Sequence, residues 1–259
     1  MAPFTGAPKK RFGQNFLTDA SVLDALVGFV APRTDDTLVE IGPGRGALTK
    51  RLLAQTERLT AVEIDRDLAC ALKEAYAPRL TLIEADVLEV DFNALCPDQP
   101  LRVVGNLPYN ISSPILFLLL EARNRIVDQH FMLQREVVER MVASPGSKAY
   151  GRLSVMLQAY YDMVKLAEIP PEAFHPAPKV YSAFVRMTPK ATVPDVPFED
   201  FSLVVKAAFA MRRKTLKNNL AGLLDEEELR GCGVDPGLRA EALDTAAFAR
   251  LADRYAAKR

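Results

Sequence analysis

VEIGPGRGALT, residues 39–49, decides the fold. An apolar run stops at Gly42, Gly44 and Gly46 follow it, and a helical pattern begins. Glycines at the end of a buried strand allow a tight turn and let a ligand approach the backbone. The spacing is G-x-G-x-G, not the G-x-G-x-x-G of a dinucleotide site. Taken alone, the turn is weak evidence of a site, and a purely structural turn is the alternative.

Reading outward, four more apolar runs have the length and composition of buried strands: LTAVE (59–63), LTLIE (80–84), LRVVG (101–105) and HFMLQ (130–134). Helical patterns separate them. Val22, Leu23, Leu26, Val27 and Val30 make one stripe, Leu48, Leu52 and Leu53 a second, and Leu68, Leu72 and Tyr76 a third. Short apolar strands alternating with helices predict right-handed βαβ units and a parallel sheet covered on both faces. MVKLAEI (163–169) and YSAFVRM (181–187) add two strands, joined by the proline-rich PPEAFHPAPK (170–179). TPKATVPDVP (188–197) reads as a linker, and beyond it FEDFSLVVKAAFA, TLKNNLAGLL and AFARLADRYAA are helical. The expected architecture is therefore α/β, a Rossmann-like seven-stranded sheet over residues 1–189 with a small all-helical domain over 190–259.

The bulk numbers narrow the function. The chain has 259 residues, with 33 Lys and Arg against 33 Asp and Glu. This neutral balance argues against gripping bare nucleic acid by charge alone. Basic residues nevertheless cluster at Lys9, Lys10 and Arg11, at Lys148 and Arg152, and at Arg212, Arg213, Lys214 and Lys217. Cys70, Cys96 and Cys232 fit neither a disulfide framework nor a metal site, and His130 and His175 are far apart. No apolar leader opens the chain and no run is long enough to span a bilayer. A cytoplasmic monomer without metal is the expectation.

Spacing strengthens the glycine turn. Gly42, Glu63, Asp86 and Asn106 follow one another at intervals of 21, 23 and 20 residues. Each sits at or just past the carboxyl end of a predicted strand, the edge where open α/β sheets bind ligands. Glu63, with Ile64 beside it, is placed to accept from ribose hydroxyls. Asp86 is placed to accept from an adenine amine, with Val87 packing on the ring. The bland alternative is that such acids cap helices, a role better suited to Asp65 and Asp67. NAD and S-adenosylmethionine both fit the pattern so far.

VVGNLPYNIS (103–112) separates the two. A dehydrogenase has no evident use for Asn106-Leu107-Pro108-Tyr109 beside an adenosine pocket. An enzyme that methylates a planar amine does. The exocyclic amine of adenine is a poor nucleophile because its lone pair is delocalised into the ring. It becomes competent when acceptors hold its two hydrogens and pyramidal nitrogen is favoured. Asn106 offers a side-chain carbonyl, and the main-chain carbonyl of Leu107 or Pro108 offers the second. Proline stiffens the turn, and Tyr109 offers a face for a flipped base. No strong base is needed, so catalysis is mostly positioning.

VEIGPGRGALT, AVEIDRDLA, EADVL and NLPYNISSPI together resemble the rRNA adenine dimethyltransferases. The flanks agree: KKRFGQNFL, MLQREVVERMVASPGSKAYGRLSV, FHPAPKVYS and MRRKTLKNNL. The resemblance runs over nearly the whole chain. It implies methyl transfer from S-adenosylmethionine to two adjacent adenosines near the 3′ end of small-subunit (16S) rRNA. It further implies that Asn15 and Leu17 contact the methionine end of the cofactor. Gly42, Gly44, Glu63, Ile64, Asp86, Val87 and Asn106 would complete that site. Phe174 would stack the target base opposite Tyr109, and residues 212–217 would meet the ribosomal subunit. The neutral charge then implies a substrate read as an assembled particle. A related enzyme acting on large-subunit rRNA, and an assembly factor without chemistry, are the alternatives.

Overall fold

A computed structural model describes Lys9 and residues 14–259. The strands are β1 (Phe16–Leu17), β2 (Thr37–Ile41), β3 (Leu59–Glu63), β4 (Leu80–Glu84), β5 (Leu101–Asn106), β6 (Ile126–Gln134), β7 (Tyr161–Ile169), β8 (Phe174–His175) and β9 (Ser182–Pro189). Seven of them form one sheet in the order β4-β3-β2-β5-β6-β9-β7, and β1 pairs with β8 in a separate two-stranded sheet. β2 to β6 run parallel, and β9 is antiparallel to β6. All seven runs named from the sequence are strands. The central ones are buried along nearly their whole length, as a sheet covered on both faces requires.

The helices are α1 (Ala20–Val30), α2 (Ala47–Leu52), α3 (Arg66–Tyr76), α4 (Ser112–Glu121), α5 (Arg135–Met141), α6 (Arg152–Gln158), α7 (Phe198–Ala208), α8 (Leu216–Asn219), α9 (Glu226–Gly231) and α10 (Thr245–Ala256). Local chemistry sets their ends. Asp19 caps α1 by accepting from Val22 N at 3.0 Å. At its far end Ala31 takes a left-handed conformation, with Pro32 following to prevent continuation. The stripe Leu23, Leu26, Val27 and Val30 then faces the core.

By packing, the described residues divide into two compact units: those up to 138 with 164–189, and residues 139–163 with 190–259. The first contains most of the sheet and its helices, with Val39, Ile41, Val104 and Phe131 at its centre. The second is helical. Phe201, Val204 and Val205 of α7 and Phe248 and Leu251 of α10 are its core. The sequence expectation kept 139–163 with the sheet, but this segment packs in the second unit. There Tyr150 meets Phe209 edge-on at 6.5 Å, and Tyr160 meets Phe201 at 5.8 Å. Only residues 161–163 of the segment are strand; the other 22 of its 25 residues are helix, turn or loop, so its apolar side chains suit helices better than a sheet edge.

Candidate active site

The carboxyl ends of β2, β3, β4 and β5 open onto one cavity of about 1160 Å³. The glycine turn forms part of its wall. Gly42, Gly44 and Gly46 have φ of 65°, 58° and 76°, a left-handed region that side chains disfavour. Space is also tight at two of the three. A Cβ on Gly46 would lie 2.7 Å from Leu72 Cδ2, and one on Gly44 would lie 3.0 Å from the Phe16 ring. Phe16 lies against the turn, with the Arg45 guanidinium 4.5 Å above its ring.

Glu63 ends β3 almost fully buried. Its Oε2 accepts from Gly44 N at 3.0 Å and its Oε1 from Asp65 N at 2.9 Å. Burial pushes this carboxyl up, against the pull of those two N–H donors. The turn and the acid are therefore one hydrogen-bonded unit. Asp86 accepts from Leu88 N at 3.0 Å and so caps a short 3₁₀ turn, Val87–Glu89, while lining the cavity. The capping role read for Asp65 is present too, through Asp67 N at 3.2 Å. Ile64 is 44 % exposed and Val87 is buried, and both line the cavity as apolar surface.

The corner at 106–109 is organised from the chain's N-terminal side. Asn106 Nδ2 donates to the Asn15 carbonyl at 2.9 Å. That bond fixes which end of the amide faces Asn15 and leaves Oδ1 and the second N–H of Nδ2 for other partners. Leu107 N–H donates to the Met132 carbonyl at 3.2 Å, and Ile111 N–H donates to the Pro108 carbonyl at 3.2 Å. The Tyr109 phenol shares a 2.6 Å hydrogen bond with Ser182 Oγ on β9. Burial holds that phenol's pKa above its ordinary value, against the Ser182 bond.

Asn15, Leu17, Gly42, Gly44, Glu63 and Ile64 all line this cavity, as do Asp86, Val87 and Asn106 to Tyr109. Phe174 does not. It is 4 % exposed, belongs to the apolar core with Leu17 and is paired with it in register. Its neighbour His175 lines the cavity instead. Successive residues of a strand face opposite ways, so with Phe174 turned into the core, His175 turns out.

Three further residues belong to the site. Gly105 precedes Asn106, and a Cβ there would stand 2.6 Å from the Ile41 carbonyl. A glycine inside a strand signals such close approach, so this one was visible in VVGN. Glu40 is buried in the cavity wall and accepts from Thr49 Oγ1 at 2.7 Å. Burial pushes it up to about 8. Ser182 carries no sequence signal at all; only pairing across the sheet brings it to Tyr109.

Of the basic residues, Lys9 is ion-paired with Asp65 at 2.6 Å and Asp67 at 2.7 Å. Gln14 also donates to Asp65, at 3.1 Å. Lys10 and Arg11 lie outside the described residues. In the second unit, Arg212 Nη2 donates to the Lys148 carbonyl at 3.3 Å, joining two of the predicted basic segments. Arg152, Arg213 and Lys214 are exposed, and Lys217 stands 3.5 Å from Glu226. Among the described residues no cluster suits a metal ion, and no helix is long and apolar enough to cross a membrane.

The ribosomal RNA adenine dimethylase family matches residues 7–257. The chain belongs to that family. Its members are enzymes that dimethylate adenine in ribosomal RNA, and the match leaves out only the chain's extreme ends. A ribosomal RNA small subunit methyltransferase A of Thiobacillus denitrificans is 56 % identical over 244 residues, covering 93 % of this chain and 95 % of the relative. That of Laribacter hongkongensis is 52 % identical over 255 residues, 97 % of each. Among solved structures, the 23S rRNA methyltransferase ErmE superposes with a TM-score of 0.72 at 27 % identity, over 93 % of this chain and 99 % of that one. A dimethyladenosine transferase from Plasmodium falciparum shares the fold, with a TM-score of 0.77 over 91 % of this chain and 95 % of that one, at 24 % identity.

Proposed function

We propose that this chain dimethylates the exocyclic amines of two adjacent adenosines near the 3′ end of 16S rRNA, with S-adenosylmethionine as methyl donor. The Asn106 amide carries the reading: one of its N–H groups is held by the Asn15 carbonyl, and the residue lines the cavity beside the glycine turn. High identity to small-subunit enzymes over the whole chain supports the choice of RNA.

The residues suit the cofactor. Glu63 and Asp86 line the cavity as acceptors at the carboxyl ends of β3 and β4, suited to the hydroxyls and amine of an adenosine, while burial keeps Glu40 beside them largely protonated. Glu63 would take the ribose hydroxyls, Ile64 and Val87 would enclose the adenine, and Asp86 would accept from its amine. The glycine turn with Asn15 and Leu17 would hold the amino-acid end. Bound there, S-adenosylmethionine supplies an electrophilic methyl on a sulfonium.

The chain's own part is positioning. Asn106 Oδ1 accepts one amine hydrogen of the target adenine, and the main-chain carbonyl of Leu107 or Pro108 accepts the other. Held so, the nitrogen keeps its lone pair out of the ring. Tyr109, braced by Ser182, stacks the extruded base. The methylated amine is acidic, so its proton leaves without a dedicated base. Phe174 would have to swing out of the core to share the stacking. The basic patch of the second unit, Lys148 with Arg212 to Lys214, would meet RNA phosphates. An intracellular, cytoplasmic setting follows from the substrate.

The test is methylation of separated ribosomal subunits that lack the modification. Dimethyladenosine in 16S rRNA, detected by mass spectrometry, is the expected product, and Asn106→Ala lowers its rate by about 10²- to 10³-fold. Label in large-subunit RNA alone would show the reading to be wrong.

A further inference from the structure

The two-stranded ribbon of β1 and β8 forms one rim of the cavity. Its register pairs Phe16 with His175 and Leu17 with Phe174. Residues directly opposite one another in an antiparallel pair share a face. Leu17 and Phe174 lie together in the apolar core, so Phe16 and His175 share the other face, and both line the cavity. Phe16 is buried there, with Arg45 over its ring. His175 is exposed, and its imidazole has no hydrogen-bond or ionic partner among the described residues.

The ribbon is held in place. Thr18 N–H and Thr18 Oγ1 donate to the Ala173 carbonyl at 2.8 and 3.2 Å. The Asn15 carbonyl, one residue before β1, accepts from Asn106 at 2.9 Å. The strand that carries His175 is therefore paired with one tied directly to the Asn106 amide.

A target adenine gripped through its amine is fixed at one edge only. Extrusion has also stripped both of its faces of stacking neighbours. Tyr109 offers cover for one face. Phe174, the residue expected to cover the other, is 4 % exposed and on the core side of the ribbon. We infer that His175 is the side chain that covers this second face of the adenine being methylated. The inference rests on the functional reading above. Histidine rings stack on unpaired RNA bases as tyrosine and phenylalanine rings do. This ring already stands on the cavity side, whereas Phe174 must first leave the core. Stacking accepts any base, so His175 positions the ring and leaves the choice of adenine to the carbonyl acceptors.

The test uses the full chain and single-stranded RNA with 2-aminopurine in place of the target adenosine. Wild type and His175→Phe quench the probe's fluorescence. His175→Ala and His175→Gln leave it brighter and bind the RNA about 5- to 100-fold more weakly. On small subunits the same two variants raise KM by a similar factor, while cofactor Kd and Tm stay at wild-type values. Phe174→Leu, by contrast, lowers Tm, as a loss of buried volume does. Full quenching and wild-type KM in His175→Ala would overturn the inference. A loss in His175→Phe equal to that in His175→Ala would do so too, by marking the imidazole nitrogens as the working atoms. A weakened cofactor Kd with RNA affinity intact would seat the ring on the cofactor and equally overturn it. The expected quenching pattern in a protein that transfers no methyl to small-subunit RNA would support the stacking and overturn the functional reading instead.

Discussion

Gly105 and Asn106 show how narrow the tolerance is at single residues. An alanine at 105 would press its Cβ to 2.6 Å from the Ile41 carbonyl, and a strand paired on both sides, to Ile41 and to Phe131, cannot easily retreat. Gly105→Ala is therefore expected to cost about 1–3 kcal/mol, seen as a lower Tm in thermal denaturation. Asn106→Asp asks a different question. It keeps the acceptor but replaces the donor facing Asn15 with a second oxygen. A neutral hydrogen bond worth about 0.5–1.5 kcal/mol is lost, so Tm should fall by a few degrees, while kcat should fall about 10- to 100-fold. Wild-type turnover in Asn106→Asp would mean that the Asn15 contact does not orient the amide. Glycine and asparagine could be found from the sequence because their types are unusual at strand ends. The direction in which Asn106 points could not, since its partner is 91 residues away.

Among elements, α3 is tied to the site through its first residues. Asp65 caps it and also takes Lys9 and Gln14 from the N-terminal segment. Burial alone would raise this carboxyl, yet hydrogen bonds from Lys9 and Gln14 hold it below its ordinary value. Asp65→Ala should cost about 1 kcal/mol as a lost cap. It should also release the segment that carries Asn15 and Leu17, so cofactor affinity falls further than stability does. Isothermal titration beside a denaturation curve separates the two, and an unchanged Kd would sever the link between α3 and the site. The longer elements were legible, because buried runs and helical stripes repeat often enough to show their period. β1 and β8 were not, as two residues display no period. TLKNNLAGLL was read as one helix, yet only Leu216–Asn219 is α-helical. The first amides of this helix donate to the Leu238 and Pro236 carbonyls, and Gly222 follows where a longer helix would continue.

Across the molecule, two buried titrating groups set opposite pH limits within the sheet unit. His130 packs against Phe184 and faces Asp128, Arg102 and Arg186; burial pushes it down to about 4. The unfolded chain takes up this proton near pH 6.5 and the folded chain does not, so stability falls as pH drops from 6.5 toward 4. The loss is on the order of 3 kcal/mol. Glu40 works the other way. Its folded pKa is about 8, against 4.5 when exposed, so its contribution is lost as pH rises from 4.5 through 8. His130→Phe should flatten the acid limb of a stability-versus-pH curve, and Glu40→Gln the alkaline limb. Limbs unchanged by either substitution would point to other groups. By itself, the sequence determined the strand-by-strand layout, the glycine turn and the residue types at the sheet's carboxyl edge, because periodicity and turn chemistry act over a few neighbouring residues. Only the tertiary structure decided that Asn106 is oriented by Asn15, that Phe174 lies in the core while His175 meets the cavity, and that Lys9 is spent on Asp65. Those outcomes depend on which distant backbones pack together, and no local pattern encodes that distance.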